Sequence, residues 1–233
     1  MIARTAIAML LATAPPASAH CHYRSHALGY SRCENTGWWA QPISWSLEAG
    51  ASALHVDARA IRATAPAGTG ADAHQLDWTT PPGARALAAL GGGLFVRAGA
   101  DRWYIGLGFD ELAIARGPAL VTTASDGGAA SANAGAITQL VGTIGVHDTF
   151  GRLALGAELV LGARMASFSR DGGAEVQDPW QVTGLVEPRA TVDAWLSPNW
   201  TVGVRAGADL LHGGDYIATL AVALHALPFD GLR

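Results

Sequence analysis

The feature that most constrains this chain is a period of two that recurs in eight long segments, at 43–57, 85–98, 103–115, 135–147, 152–166, 181–196, 200–211 and 216–227. Apolar side chains alternate there with polar or small ones, and no helical period competes. In a strand, alternate side chains point to opposite faces, so the chain is read as all-β. Each segment has twelve residues or more. Soluble strands average about five or six residues, whereas membrane-crossing strands need about 9–11.

The two parities differ in kind. The segment at 152–166 sets Leu153, Leu155, Ala157, Leu159, Leu161, Ala163 and Met165 against Gly156, Glu158, Val160, Gly162 and Arg164. At 200–211, Trp200, Val202, Val204, Ala206, Ala208 and Leu210 oppose Thr201, Gly203, Arg205, Gly207 and Asp209. At 181–196 the polar set holds Glu187, Arg189, Thr191 and Asp193, and at 43–57 it holds Ser44, Ser46, Glu48 and Ser52. With the apolar parity facing outward, the inward set collects Glu48, Arg97, Asp110, Glu158, Arg164, Glu187, Arg189, Asp193, Arg205 and Asp209. The outward set carries a single charge, Glu111, near one strand end. A charge at the midplane of a lipid-facing strand costs roughly 2–4 kcal/mol, which accounts for this segregation.

The connections alternate as well. Those at 99–102, 148–151 and 197–199 are tight, while 58–84, 116–134 and 167–180 are longer. The last, His212-Gly213-Gly214-Asp215, is very short. Ser125-Asp126-Gly127-Gly128 and Arg170-Asp171-Gly172-Gly173 suit turns with positive φ at the loop tips. Trp103, Phe150, Trp195 and Trp200 stand beside the tight turns, where an interfacial aromatic girdle belongs. Pro188 removes one ladder hydrogen bond from a closed sheet and predicts a bulge or local break.

Over about 43–229 this pattern resembles small bacterial outer-membrane barrels of the OmpA/OmpX type. The resemblance is one of pattern, and no motif carries it. It implies an eight-stranded antiparallel up-and-down transmembrane barrel, short turns and both termini on the periplasmic side, with outer-membrane lipid and the barrel-assembly machinery as partners. Such barrels usually end on an aromatic residue. Here Phe229 is followed by Asp230-Gly231-Leu232-Arg233.

Residues 1–19 read as a secretory signal, with Arg4 ahead of a short apolar core from Thr5 to Ala14 and an A-x-A site at Ala17-Ser18-Ala19. That core is too short to cross a bilayer as a helix, which takes roughly 20 residues. Cleavage after Ala19 leaves 14 arginines against 19 acids, too acidic for nucleic-acid binding. His20 directly before Cys21 argues against a lipoprotein signal. Cys21 and Cys33 are the only cysteines of an exported chain and predict a disulfide that staples a periplasmic segment at 20–42. The loop it closes is worth about 3 kcal/mol in the chain-entropy picture. A free amine followed by His20, Cys21 and His22 also makes a square-planar nitrogen set for Cu(II) or Ni(II). No other cofactor is expected.

The functional expectation is an integral outer-membrane barrel with a structural or surface-interaction role, and with 58–84 and 116–134 as the contact loops. Inward glycines at 106, 108, 156, 162, 203 and 207 keep a second reading open, a narrow pore or small-ligand barrel. A third is a lipid A-modifying enzyme. It needs a nucleophile, a histidine and an acid together. His147-Asp148-Thr149 falls in a tight turn, and Ser167 and Ser169 lie at the opposite end, so no catalytic residue is assigned. His55, His74, His212 and His225 are scattered and read as surface or interfacial residues. A fourth reading, a soluble secreted β-sandwich, requires the leucine and valine faces to be clasped between two sheets.

Overall fold

The structure, a computed structural model, describes residues 44–68, 74–100, 103–123, 129–150, 152–170, 178–197 and 199–226. The expected signal sequence at 1–19, together with His20, Cys21, His22, Cys33 and the residues after 226, lies outside the described residues. Among the described residues, eleven strands form one antiparallel sheet. They are β1 (Ser44–Asp57), β2 (Arg62–Ala67), β3 (His74–Thr79), β4 (Ala86–Ala100), β5 (Trp103–Arg116), β6 (Leu120–Thr123), β7 (Ala129–Phe150), β8 (Leu153–Arg170), β9 (Trp180–Ser197), β10 (Trp200–Ala208) and β11 (Tyr216–Ala226).

The eight periodic segments correspond to the long strands. Their pairings run from β1 to β4, β5, β7, β8, β9, β10 and β11, and β11 pairs back to β1. The sheet therefore closes on itself and leaves no edge in this ring, which removes the exposed N–H and C=O row of an open sheet. Short turns join β4 to β5, β7 to β8 and β9 to β10 at one end, here the turn end. The longer connections lie at the other, the loop end.

Three strands stand where the sequence predicts loops. The hairpin β2–β3 occupies 62–79, and β6 lies within 116–134. Their alternation is hidden in small residues: Ala63, Ala65, Ala67, Leu76 and Trp78 are buried, while His74, Gln75 and Asp77 are exposed. Packing finds them partners. β5 leaves β7 after Ala113↔Ala136, and β6 takes over the freed edge from Leu120↔Ala132 to Thr123↔Ala129. β10 leaves β9 after Gly207↔Arg189, and β2 joins that edge at Thr64↔Trp180. β3 bridges β2 and β6, at Thr79↔Val121 on the β6 side. At the loop end β7, β8, β9, β2, β3 and β6 thus close a second, smaller ring.

Two local expectations change. Pro188 pairs with Leu159 without a register shift. β10 leaves the other edge of β9 one residue away, so the missing N–H costs little there. The irregularities fall instead at Ala88/Ala89, Ala132/Ala134 and Trp200/Thr201. His147, Asp148 and Thr149 are strand residues rather than a turn, because the ladder continues to Phe150↔Leu153.

Candidate functional site

The sheet is polar inside and apolar outside. Outward side chains are open to the surroundings along the whole wall, among them Leu107 at 72%, Leu140 at 66%, Ile105 at 63% and Leu94 at 58% exposure. Inward, Glu48, Arg97, Asp110, Glu158, Arg164, Glu187, Arg189, Arg205 and Asp209 are all buried. Asp193 also faces in, its side chain 22% exposed. This is the inverse of a sandwich, whose leucines would be the buried set.

Register brings the interior charges together. Glu158 stands directly opposite Arg189 on the neighbouring strand, and Glu187 lies two residues from Arg189 on the same face. Arg189 Nε donates to Glu187 at 2.5 Å. Arg97, on β4, reaches Glu158 on β8 at 3.0 Å, three strands round the ring, so this pair crosses the lumen. Arg97 also holds Glu48 at 3.2 Å, and Arg205 joins Glu48 at 2.6 Å to Asp193 at 3.3 Å. The Tyr104 hydroxyl donates to Glu158 at 2.9 Å, and the Arg97 guanidinium lies 5.1 Å from the Tyr104 ring centroid. Nearer the loop end, Arg164 pairs with Asp215 at 2.5 Å and stands 3.9 Å from Asp209. Asp110 accepts from Ser52 at 3.3 Å, and the Ser52 hydroxyl bonds the Thr219 hydroxyl at 2.9 Å.

The inward glycines are occupied space. A β-carbon on Gly108 would sit 2.0 Å from the Phe95 ring, and one on Gly145 would sit 2.2 Å from the Tyr104 ring. At Gly207 it would meet the Arg189 stem at 2.5 Å. Each glycine lets a large side chain from a neighbouring strand lie flat across the interior. Gly108→Val is therefore expected to destabilise the fold by about 1–3 kcal/mol through overpacking. Adding Phe95→Ala recovers part of that loss, which urea unfolding in detergent measures.

The loop end is closed by a second material. Leu54, Val56, Leu87, Ala89, Leu112, Ile137 and Ile217 project inward from the long strands and pack with Trp78, Leu76, Ala63, Ala65 and Ala67 of the β2–β3 hairpin, Leu120 and Phe168. The interior is thus ion-paired below, with Phe95, Val141, Val160 and Leu185 packed among the charges, and hydrocarbon above. Sequence reasoning missed this core because the inward parity turns from polar to apolar along the strand, from Glu48 and Ser52 to Leu54 and Val56 on β1 and from Asp110 to Leu112 on β5.

Several residues sit elsewhere than expected. Asp215, assigned to a turn, is 2% exposed and faces Arg164. Trp195 turns inward, its ring 4.4 Å from that of His225, rather than joining the girdle. His225 is also inward, its Nε2 bonded to the Thr201 hydroxyl at 2.9 Å. Parity alone places both, since Trp195 shares the phase of Arg189 and Asp193. Trp45, Trp103, Phe150 and Trp200 remain outward and exposed at the turn end, and Trp180 and Tyr216 are exposed near the loop end. Glu111 is outward and accepts from Thr138 at 2.6 Å. His212 bonds buried Asp209 at 2.7 Å rather than standing alone at the surface. No hydroxyl of Ser167 or Ser169 is joined to that pair; Ser167 donates to the Ala136 carbonyl at 3.4 Å.

A closed antiparallel barrel with an apolar exterior and a filled, charge-paired interior is the class this geometry defines. Among solved structures the chain is similar to Neisserial surface protein A, with 11% identity over 78% of this chain and 96% of that one, at a TM-score of 0.45. It is similar also to Ail, the attachment invasion locus protein of Yersinia pestis, solved with the heparin analogue sucrose octasulfate: 13% identity, 80% and 100% coverage, TM-score 0.45. The N-terminal β-barrel domain of Pseudomonas aeruginosa OprF matches at 13% identity, 80% and 98% coverage, with a TM-score of 0.41. No protein-family model and no curated protein sequence matches.

Proposed function

We propose that the chain is an eight-stranded outer-membrane barrel with a sealed interior, acting as a structural or surface-interaction protein through its loop end. The observation that carries this reading is the inverted polarity of the wall: Leu107 stands 72% exposed while Arg189 is 2% exposed. Water would penalise that arrangement, and hydrocarbon favours it. On β5 the outward run from Trp103 to Glu111 covers eight residue steps. At about 3.3 Å per residue and a tilt near 40°, this makes a band of roughly 20 Å, close to the apolar height of such barrels.

In this reading the signal is cut after Ala19, Cys21 and Cys33 pair in a periplasmic segment, and the barrel-assembly machinery inserts the strands into outer-membrane lipid. The loops at 58–84 and 116–134 offer the exposed faces of β2, β3 and β6 to a partner. Their buried faces are committed to the core below them.

A sealed barrel conducts nothing. The Arg97–Glu158 pair crosses the lumen, and the apolar core lies over it. The purified protein is expected to give no discrete single-channel steps in a planar bilayer, and to fractionate with the outer membrane as a heat-modifiable band. Regular conductance steps would replace this reading with the pore. Recovery as a detergent-free soluble monomer would remove the membrane altogether.

A further inference from the structure

We propose that Asp209, His212 and Asp215 hold a divalent transition-metal ion at the loop end. The three stand in the connection from β10 to β11, and one ligand atom from each lies within 4.8 Å of the others. Both carboxylates are buried, while the His212 side chain is 24% exposed. The turn is built to hold them. The Leu211 N–H donates to Asp209 Oδ1 at 3.0 Å, and the Asp57 N–H donates to Asp215 Oδ1 at 2.7 Å. The Asp209 and Asp215 N–H groups bond the Asp215 and His212 carbonyls at 3.0 and 3.1 Å, and Gly214 supplies φ +105°.

The independent observation is charge. Two buried carboxylates share a single guanidinium, that of Arg164, which is 2.5 Å from Asp215 and 3.9 Å from Asp209. With His212 neutral, one negative charge is left without a counterion, and a buried charge is costly unless compensated. A small, largely apolar cleft, walled by Val56, Ile61, Leu87, Ile137 and Phe168, meets the cluster at Arg164, His212 and Asp215.

The donor set chooses the ion. One imidazole nitrogen and two carboxylate oxygens, with a fourth position open to water, suit tetrahedral Zn²⁺. Ca²⁺ wants about 6–8 oxygens, and Mg²⁺ wants an octahedron of them. The ion takes the place of the proton shared between His212 Nδ1 and Asp209 Oδ2, which lie 2.7 Å apart. The ring then carries its proton on Nε2, towards the cleft.

The test is calorimetric titration of the mature chain in detergent, stripped with chelator, with Zn²⁺, Ca²⁺ and Mg²⁺ in separate runs. Zn²⁺ is expected to bind most tightly. Asp209→Asn and His212→Ala each weaken one site at least about tenfold, while Arg164→Gln, which removes a competing cation, binds Zn²⁺ equally or more tightly. His212→Gln keeps the side-chain bulk, and the heat-modifiable gel shift verifies that each variant is folded. Binding at the N-terminal histidines is common to every variant and subtracts out. An unchanged Zn²⁺ isotherm in Asp209→Asn and both His212 variants overturns the proposal. Preference for Ca²⁺ or Mg²⁺ overturns it equally.

Discussion

Leu107→Arg is expected to destabilise the folded barrel by about 2–4 kcal/mol, whereas arginine at Glu111 costs about 0–1 kcal/mol. Both positions face outward on β5 and both are exposed. In a soluble protein, two exposed positions on one strand would tolerate arginine almost equally, within about 0.5 kcal/mol. Here Leu107 lies midway between the Trp103 girdle and the Glu111–Thr138 pair, in the middle of the apolar band. The cost should therefore follow depth. Urea titrations of the folded protein in phospholipid vesicles measure it, and equal effects at the two positions would deny that lipid surrounds this strand.

Arg189→Ala is expected to cost about 3–5 kcal/mol, the penalty for leaving a buried charge alone. Its partner Glu187 is fully buried and has no other ion-pair partner among the described residues. Glu158 is affected less, because Arg97 holds its other oxygen at 3.0 Å. The damage thus concentrates at Glu187, and adding Glu187→Gln should restore part of the loss by removing the stranded carboxylate. If the double variant is no more stable than Arg189→Ala, the cost comes from the cavity left against Gly207 and not from charge.

Much of the wall was legible from the alternation, and the reason is local. A strand's period is two whatever it packs against, so the parity of Leu155, Glu158, Leu161 and Arg164 is set within a single segment. The short turns between β4 and β5, β7 and β8, and β9 and β10 follow the same segment boundaries within a few residues. The inward charges of the candidate site were legible as a set, since each shares its strand's polar parity.

Their partners were not. Arg97 meets Glu158 and Arg205 meets Glu48 because of how the ring closes and how its registers stagger. Neither quantity is written in any one strand. The same holds for β2, β3 and β6: six or fewer residues of Arg-Ala-Thr-Ala or Leu-Val-Thr-Thr carry little pattern and become strands only on edges that β5 and β10 have left. Asp215 reads as a turn residue until the β10–β11 connection folds it onto Arg164.

The sequence by itself determined which side chains face outward and which face one another, because that choice depends only on strand period and on the segregation of charge to one parity. The tertiary structure alone decided what fills the interior, which pairs cross it and how the loop end is sealed, because those depend on distances between strands far apart in the chain.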